Sequence, residues 1–188
     1  MRKVKAAVFA SGTGSNFQAI MEAGPMPCEI AVLVCDQPEA PVIEKAEAFG
    51  VPVFSFRAKN YASKEHYERE IVSRLEELGV EWIFLAGYMR ICGPTLLQAY
   101  TDRMINIHPS LLPAFPGKDA IGQAFQANVE ATGVTVHYVD EGIDTGPIIA
   151  QQEVPVMPDD SEGTLKKRIQ AVEHQLYPAA IKELILIK

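Results

Sequence analysis

The chain has 188 residues, of which 48% are hydrophobic and 22% charged, a balance typical of a globular protein with a sizeable buried core. Its net charge of -7 disfavours broad binding to nucleic acid, which needs clustered positive charge, but permits a small anionic substrate held by a few local donors. No apolar run approaches the roughly 20 residues of a membrane helix, so no membrane partner is expected.

Short apolar runs alternate with helical patterns over the first half of the chain. Strands are predicted at residues 4–10, 29–35, 51–56, 82–86 and 104–107. Helices are predicted at residues 17–23, 41–49, between the N-cap Ser63 and Gly79, and at 94–100. Strands that follow one another through helices pair in parallel, so this order predicts a doubly wound α/β sheet with helices on both faces.

The pattern changes after His108. Three prolines between residues 109 and 116 predict an irregular loop that ends at Gly117. Residues 132–139 and 148–156 are predicted strands that pair antiparallel. Ser161 is the predicted cap of a final helix, which Pro178 bends or interrupts. Because no repeat or linker is visible, one domain over residues 1–188 is expected.

Residues 11–16, Ser-Gly-Thr-Gly-Ser-Asn, lie between the first strand and the first helix. Backbone N–H groups of such a turn, together with the helix N-terminus, favour an anion, so the segment predicts phosphate binding. Two alternatives remain open. A dinucleotide site would use Asp36, but its fingerprint lacks the third glycine because residue 17 is Phe. The segment could also be a simple tight turn.

Asn106 and His108 lie two residues apart at the end of a predicted strand, so strand alternation points both side chains in one direction. An amide donor beside an imidazole suits the stabilisation of a developing oxyanion. Asp144 follows in a loop between two strands. If it faces His108, its carboxylate would favour the charged imidazole and could accept the proton of an attacking amine. The three residues suit acyl transfer without a covalent enzyme intermediate.

No other nucleophile or metal site is predicted. Ser110 lacks the surrounding glycines of a nucleophile elbow, and Cys92 has no obvious activating partner. The four histidines and three cysteines show no spacing typical of metal ligands or of a disulfide framework. The basic N-terminus leads into a short predicted strand rather than a signal peptide. These features favour a cytoplasmic location.

Four separated motifs occur in an order that resembles a known family. They are residues 11–16, residues 86–90 (Ala-Gly-Tyr-Met-Arg), residues 106–113 (Asn-Ile-His-Pro-Ser-Leu-Leu-Pro) and residues 140–147. Together with Glu173, His174, Tyr177 and Pro178, they resemble the phosphoribosylglycinamide formyltransferases, folate-dependent enzymes of purine biosynthesis. The resemblance extends over nearly the whole chain. Residues 117–124 depart from the family pattern, in which a histidine is common nearby.

The resemblance implies a single-domain Rossmann-like formyltransferase fold with 10-formyltetrahydrofolate as formyl donor and glycinamide ribonucleotide as acceptor. The implied catalytic residues are Asn106, His108 and Asp144. The implied acceptor contacts are Gly12, Thr13, Gly14, Ser15, Asn16, Lys64 and Glu173. The implied folate contacts are Met89, Arg90, Ile91, Val139, Asp140 and Glu141. Residues 1–100 would then bind mainly the acceptor, and residues 101–188 would bind folate and carry out catalysis, in a monomer or homodimer.

Relatives with the same chemistry give alternative predictions. A formyltetrahydrofolate deformylase would give the formyl group to water, and methionyl-tRNA formyltransferase would use a tRNA. Both usually carry an additional domain, for which the chain length leaves no room, and the acidic charge disfavours a tRNA. A non-catalytic nucleotide-binding module would explain the glycine loop and Asp36, but not Asn106 and His108.

Overall fold

The computed structural model describes residues 2–188, which contain one seven-stranded sheet. The strands are β1 (Val4–Ala10), β2 (Cys28–Cys35), β3 (Val53–Ser55), β4 (Trp82–Leu85), β5 (Met104–His108), β6 (Ala131–Tyr138) and β7 (Ile148–Pro155). Their order across the sheet is β3-β2-β1-β4-β5-β6-β7. The first five strands pair in parallel, whereas β6 is antiparallel to both β5 and β7. The predicted mostly parallel sheet with antiparallel pairing near the C-terminus is confirmed.

Helices cover both faces of this sheet. They are α1 (Ser15–Glu22), α2 (Pro41–Ala48), α3 (Lys64–Glu77), α4 (Pro94–Ala99), α5 (Ala120–Gln126) and α6 (Glu162–Ile187). Alternate residues of β1 point into two separate cores because side chains of a strand alternate between faces. Ala6 and Val8 pack with residues of α1, α2 and α6, whereas Ala7 and Phe9 pack with residues of α3 and α4. No helix in residues 2–188 has both the length and the apolarity to cross a membrane.

Two details of the second half differ from the predictions. The sequence did not predict α5, which begins after Asp119, whose side chain accepts a hydrogen bond from the Gly122 N–H. The final helix starts at the predicted cap, Ser161, and continues through Pro178, so of the two predicted effects of this proline, a bend or an interruption, the interruption does not occur. Tyr177 and Ile181 are fully buried on either side of the proline. Their packing holds the helix together where one backbone hydrogen bond is lost.

The direction of chain growth across the sheet reverses between β1 and β4. From β1 the chain proceeds outward to β2 and β3, and it then crosses back to place β4 on the other side of β1. Loops that follow two such strands diverge and leave a crevice at the carboxyl ends, where ligands of open α/β sheets bind. The glycine loop follows β1, and residues 86–91 follow β4. The fold therefore places these two predicted binding segments on the two sides of one crevice.

Gly14 makes the turn from β1 into α1 possible. Its φ is 76°, in the left-handed region that favours glycine. A Cβ atom at this position would lie 2.4 Å from Cγ2 of Val42 in α2. The turn therefore needs glycine both for its backbone conformation and for the close approach of α2.

We expect Gly14→Ala to lower the free energy of unfolding by about 2 kcal/mol or more. Alanine would be strained in the left-handed backbone conformation, and its Cβ would also overlap with Val42. Urea denaturation measures the change. Gly12→Ala is the matched control, since a Cβ at Gly12 has no atom within 4 Å and the residue does not have a left-handed φ. Equal stabilities of the two variants would contradict this account of the turn.

Candidate active site

The Asp144 side chain lies at the centre of a polar cluster beyond the carboxyl end of β5. Its Oδ2 accepts a hydrogen bond from the Gly117 N–H at 2.8 Å and lies 3.4 Å from His108 Nδ1. Its Oδ1 lies 3.7 Å from Nε2 of His137. Nδ2 of Asn106 lies 3.5 Å from the same nitrogen of His137. The structure therefore brings together Asn106, His108 and Asp144, and it adds His137 to them.

The loop that carries Asp144 is held by its own side chains. Oδ1 of Asp140 accepts hydrogen bonds from the Gly142 N–H at 3.0 Å and from the Thr145 hydroxyl at 2.6 Å. A Cβ at Gly146 would lie 1.8 Å from the Tyr138 carbonyl oxygen, so the loop passes very close to the end of β6. Asp144 itself has a φ of 56°, in the left-handed region. These contacts fix the position of its carboxylate opposite His108.

His137 is a site residue that the sequence did not single out. It lies near the end of β6, opposite Asn106 of β5, and it is buried. Burial lowers its pKa, although the Tyr138 carbonyl and the Asp144 carboxylate partly oppose this effect. The neutral ring donates from Nδ1 to the Tyr138 carbonyl at 2.8 Å, which leaves Nε2 as an acceptor. His137 can therefore accept a hydrogen bond from the Asn106 amide and orient it.

Both ring nitrogens of His108 have partners. Nε2 lies 2.9 Å from the Phe115 carbonyl oxygen, and since a carbonyl can only accept, Nε2 carries a proton. Nδ1 faces the Asp144 carboxylate. When Nδ1 is also protonated, the ring becomes an imidazolium paired with Asp144. The arrangement thus provides an imidazole that donates from Nε2 beside a carboxylate that can accept a proton.

The residues predicted to contact the acceptor lie together, with the exception of Lys64. Gly12 to Asn16 form the turn into α1, and Glu173 of α6 lies beside Asn16, whose amide lowers the carboxyl pKa. Burial acts more strongly and raises the pKa of Glu173 to about 7. Oδ1 of Asn16 is buried without a hydrogen-bond partner among the described residues. Lys64 instead donates to the Ile91 carbonyl at 2.8 Å, on the opposite side of the crevice.

The predicted folate residues form two segments. Met89 and Ile91 are 74% and 56% exposed, which is unusual for large apolar side chains and leaves them free to cover a ligand. The second segment, Val139 to Glu141, begins where the Val139 N–H donates to the Met104 carbonyl and continues into the Asp144 loop. Arg90 donates from Nε to Oδ2 of Asp36 at 2.9 Å.

The contacts of Asp36 argue against the alternative prediction of a dinucleotide site. Oδ1 of Asp36 accepts a hydrogen bond from the Ser11 hydroxyl, and its Oδ2 accepts one from Arg90. The carboxylate is buried and is therefore not presented to a ribose. Phe17 of α1 is fully buried in the core, at the position where the dinucleotide fingerprint would need glycine.

Cys92 and Ser110, the two other nucleophiles considered from the sequence, are poor ones in this structure. Burial raises the pKa of Cys92 to about 12, so its thiol stays protonated. The Ser110 hydroxyl is buried and donates to the Ala114 carbonyl at 2.6 Å. Within residues 2–188, no three or more His, Cys, Asp or Glu side chains are grouped so that they could hold a metal ion. The polar cluster around Asp144 is therefore the candidate site of the catalytic chemistry.

Comparisons with known proteins identify the family of the chain. The sequence model of the family described as "Formyl transferase" matches residues 4–181. Phosphoribosylglycinamide formyltransferase of Bacillus subtilis is 55% identical over 96% of this chain and 94% of its own length. The human trifunctional purine biosynthetic protein adenosine-3 is 38% identical over 96% of this chain, which spans only 18% of that longer protein.

A solved structure has the same fold over nearly the whole chain. Glycinamide ribonucleotide transformylase 1 from Geobacillus kaustophilus superposes with a TM-score of 0.96 at 56% identity, over 98% of this chain and 100% of the other. Sequence and fold thus point to the same family. The chain belongs to the formyl transferase family.

Proposed function

We propose that the chain transfers the formyl group of 10-formyltetrahydrofolate to the amine of glycinamide ribonucleotide. The products are formylglycinamide ribonucleotide and tetrahydrofolate, in purine biosynthesis. The observation that carries this proposal is the cluster of Asn106, His108 and Asp144 at the sheet edge that also bears the glycine loop. The names of the Bacillus and Geobacillus relatives support the same substrates.

In the proposed mechanism, the acceptor amine attacks the formyl carbon directly. Negative charge then develops on the formyl oxygen, and hydrogen bonds from Asn106 and His108 stabilise it. Nε2 of His108 is the nitrogen that can be released for this purpose, because its partner is a neutral loop carbonyl. Nδ1 keeps its charged partner, Asp144.

Protons are conserved over the whole transfer. A carbon–nitrogen bond forms to the acceptor amine, and the bond from the formyl carbon to N10 of the folate breaks. The amine loses one proton and N10 gains one. Asp144 is the group that accepts the first proton, directly or through one water, because its carboxylate is held next to His108.

The two substrates would approach from the two sides of the crevice. We place the acceptor phosphate at Gly12 to Asn16, where backbone N–H groups and the start of α1 favour an anion. Glu173 would contact the ribose and amine part of the acceptor. Of the proposed acceptor contacts, Lys64 has the least structural support, because its ammonium group donates to the Ile91 carbonyl. The exposed Met89 and Ile91 would cover the folate.

We further propose that residues 1–188 act as one formyltransferase domain. Residues 1–100 would supply most acceptor contacts, and residues 101–188 the catalytic trio and much of the folate site. The free thiols of all three cysteines suit a reducing compartment, which supports a cytoplasmic location. A monomer or a homodimer stays the prediction for the oligomeric state.

A formyl-transfer assay with 10-formyltetrahydrofolate tests the function directly. Tetrahydrofolate should be released when glycinamide ribonucleotide is present and not with water alone. Equal release in both reactions would identify a deformylase instead. Release in neither would favour a non-catalytic binding module.

We expect His108→Ala to lower kcat by about 100-fold or more, because the variant loses a hydrogen-bond donor to the oxyanion. The KM for glycinamide ribonucleotide should change much less. His66→Ala is the control, since His66 is an exposed residue of α3, and its kcat should stay within about two-fold of the native value. A near-normal kcat in His108→Ala would remove His108 from the mechanism.

The raised pKa of Glu173 predicts a dependence of stability on pH. Between the ordinary value of 4.5 and about 7, the native state keeps a proton that the unfolded chain has lost. The free energy of unfolding should therefore fall as pH rises through this window, by up to about 3 kcal/mol from this one group.

Glu173→Gln removes this titration, so the fall in stability between these pH values should become shallower. Urea denaturation at a series of pH values measures the slope. Glu183→Gln, at an exposed position of the same helix, should leave the native slope in place. Identical slopes for the two variants would show that Glu173 has no raised pKa.

A further inference from the structure

Asp36 lies just after β2 and joins the two sides of the crevice. Its Oδ1 accepts a hydrogen bond from the Ser11 hydroxyl at 2.5 Å, and its Oδ2 accepts one from Arg90 Nε at 2.9 Å. Ser11 opens the glycine loop, and Arg90 belongs to the segment after β4. One buried carboxylate thus contacts both segments at once.

Ser11 adds further links between the same segments. Its hydroxyl oxygen accepts a hydrogen bond from the Met89 N–H at 2.9 Å, and its own N–H donates to the Gly87 carbonyl at 3.1 Å. The glycine loop is also tied to α2, because the Val42 N–H donates to the Gly12 carbonyl at 3.1 Å. A displacement of either segment would break several of these bonds together.

The Arg90 side chain is only partly used by these contacts. It is 34% exposed, whereas the Asp36 side chain is 2% exposed. Its guanidinium carbon lies 5.8 Å from the centre of the Tyr67 ring, and Nε is the donor that Asp36 holds. Asp36 and Tyr67 therefore fix the orientation of this charged group.

We propose that Asp36 is a positioning residue that couples the two substrate sites. It touches neither substrate, but it holds the glycine loop and the segment Met89–Ile91 in one arrangement. A substrate that stabilises this arrangement at one segment then also stabilises it at the other, so each substrate binds more tightly in the presence of its partner. This inference rests on the proposed function, because it takes these segments as the places where acceptor and folate bind.

The coupling can be measured without turnover. Tetrahydrofolate carries no formyl group, so glycinamide ribonucleotide and tetrahydrofolate can be bound together without reaction. Calorimetry gives the Kd of glycinamide ribonucleotide alone and with saturating tetrahydrofolate. In the native protein the second Kd should be lower by about five-fold or more, the usual range for coupled sites.

Asp36→Asn tests the role of the carboxylate. Asparagine can still accept from Ser11, but its amide nitrogen would face the Arg90 donor and lose that bond. Each ligand alone should bind within about three-fold of its native Kd, and the coupling should fall to about two-fold or less. In turnover, both KM values should rise while kcat stays nearly unchanged. Ser11→Ala, which removes the hydroxyl links, should also reduce the coupling.

Asp160→Asn is a matched control. Asp160 pairs with Arg168 at 2.7 Å, and the two side chains are 3% and 31% exposed, close to the values of Asp36 and Arg90. This pair follows β7, at the other end of the sheet from β2. The control should lose stability like any broken ion pair but keep the native coupling.

The possible outcomes separate the two proposals. Loss of coupling in Asp36→Asn, with native coupling in Asp160→Asn, supports the role of Asp36. Native coupling in Asp36→Asn, equal loss in both variants, or no coupling in the native protein overturns it while the proposed function stands. If the native protein binds neither ligand, the proposed function fails, and the inference fails with it. Should Asp36→Asn not fold, Ser11→Ala decides by the same criteria.

Discussion

The candidate site depends on the contacts that stabilise one carboxylate, that of Asp144. Asp144 is 12% exposed, and a nearly buried charge is costly unless hydrogen bonds and opposite charge surround it. Its partners come from the end of β5 and from the loop at Gly117. The same contacts that satisfy the charge therefore assemble the catalytic cluster, and loss of any one of them would disturb the others.

The direction of β6 explains how these partners meet. The parallel strands deliver their loops to one edge of the sheet, where the glycine loop and residues 86–91 form the crevice. Because β6 is antiparallel, it brings a residue from within a strand, His137, opposite Asn106. The loop that follows β6 then returns to place Asp144 beside His108. Parallel strands thus position the proposed substrate sites, and the antiparallel strand completes the proposed catalytic one.

The strands and most helices could be anticipated because each leaves a local pattern in the sequence, whereas the contact between His108 and Asp144 stayed conditional until the structure placed the two side chains 3.4 Å apart. Strand alternation predicted that Asn106 and His108 point in one direction, and the glycine loop predicted an anion site after the first strand. His137 could not be identified in this way, since a histidine among apolar residues of a strand resembles a core residue until the register with β5 is known. The contacts of Asp36 with Ser11 and Arg90 likewise depend on tertiary packing. Helix α5 is short and follows a proline-rich loop, so it lacks clear periodicity.

The backbone of Asp144 narrows the amino acids that can serve at this position. A left-handed φ is adopted at low cost by glycine, asparagine and aspartate, and other side chains strain it. The proposed proton acceptor requires a carboxylate, which only aspartate and glutamate possess. Aspartate alone meets both demands, so this position has no conservative replacement. Substitution by glutamate would retain the charge at the expense of the turn, and asparagine would retain the turn without the charge.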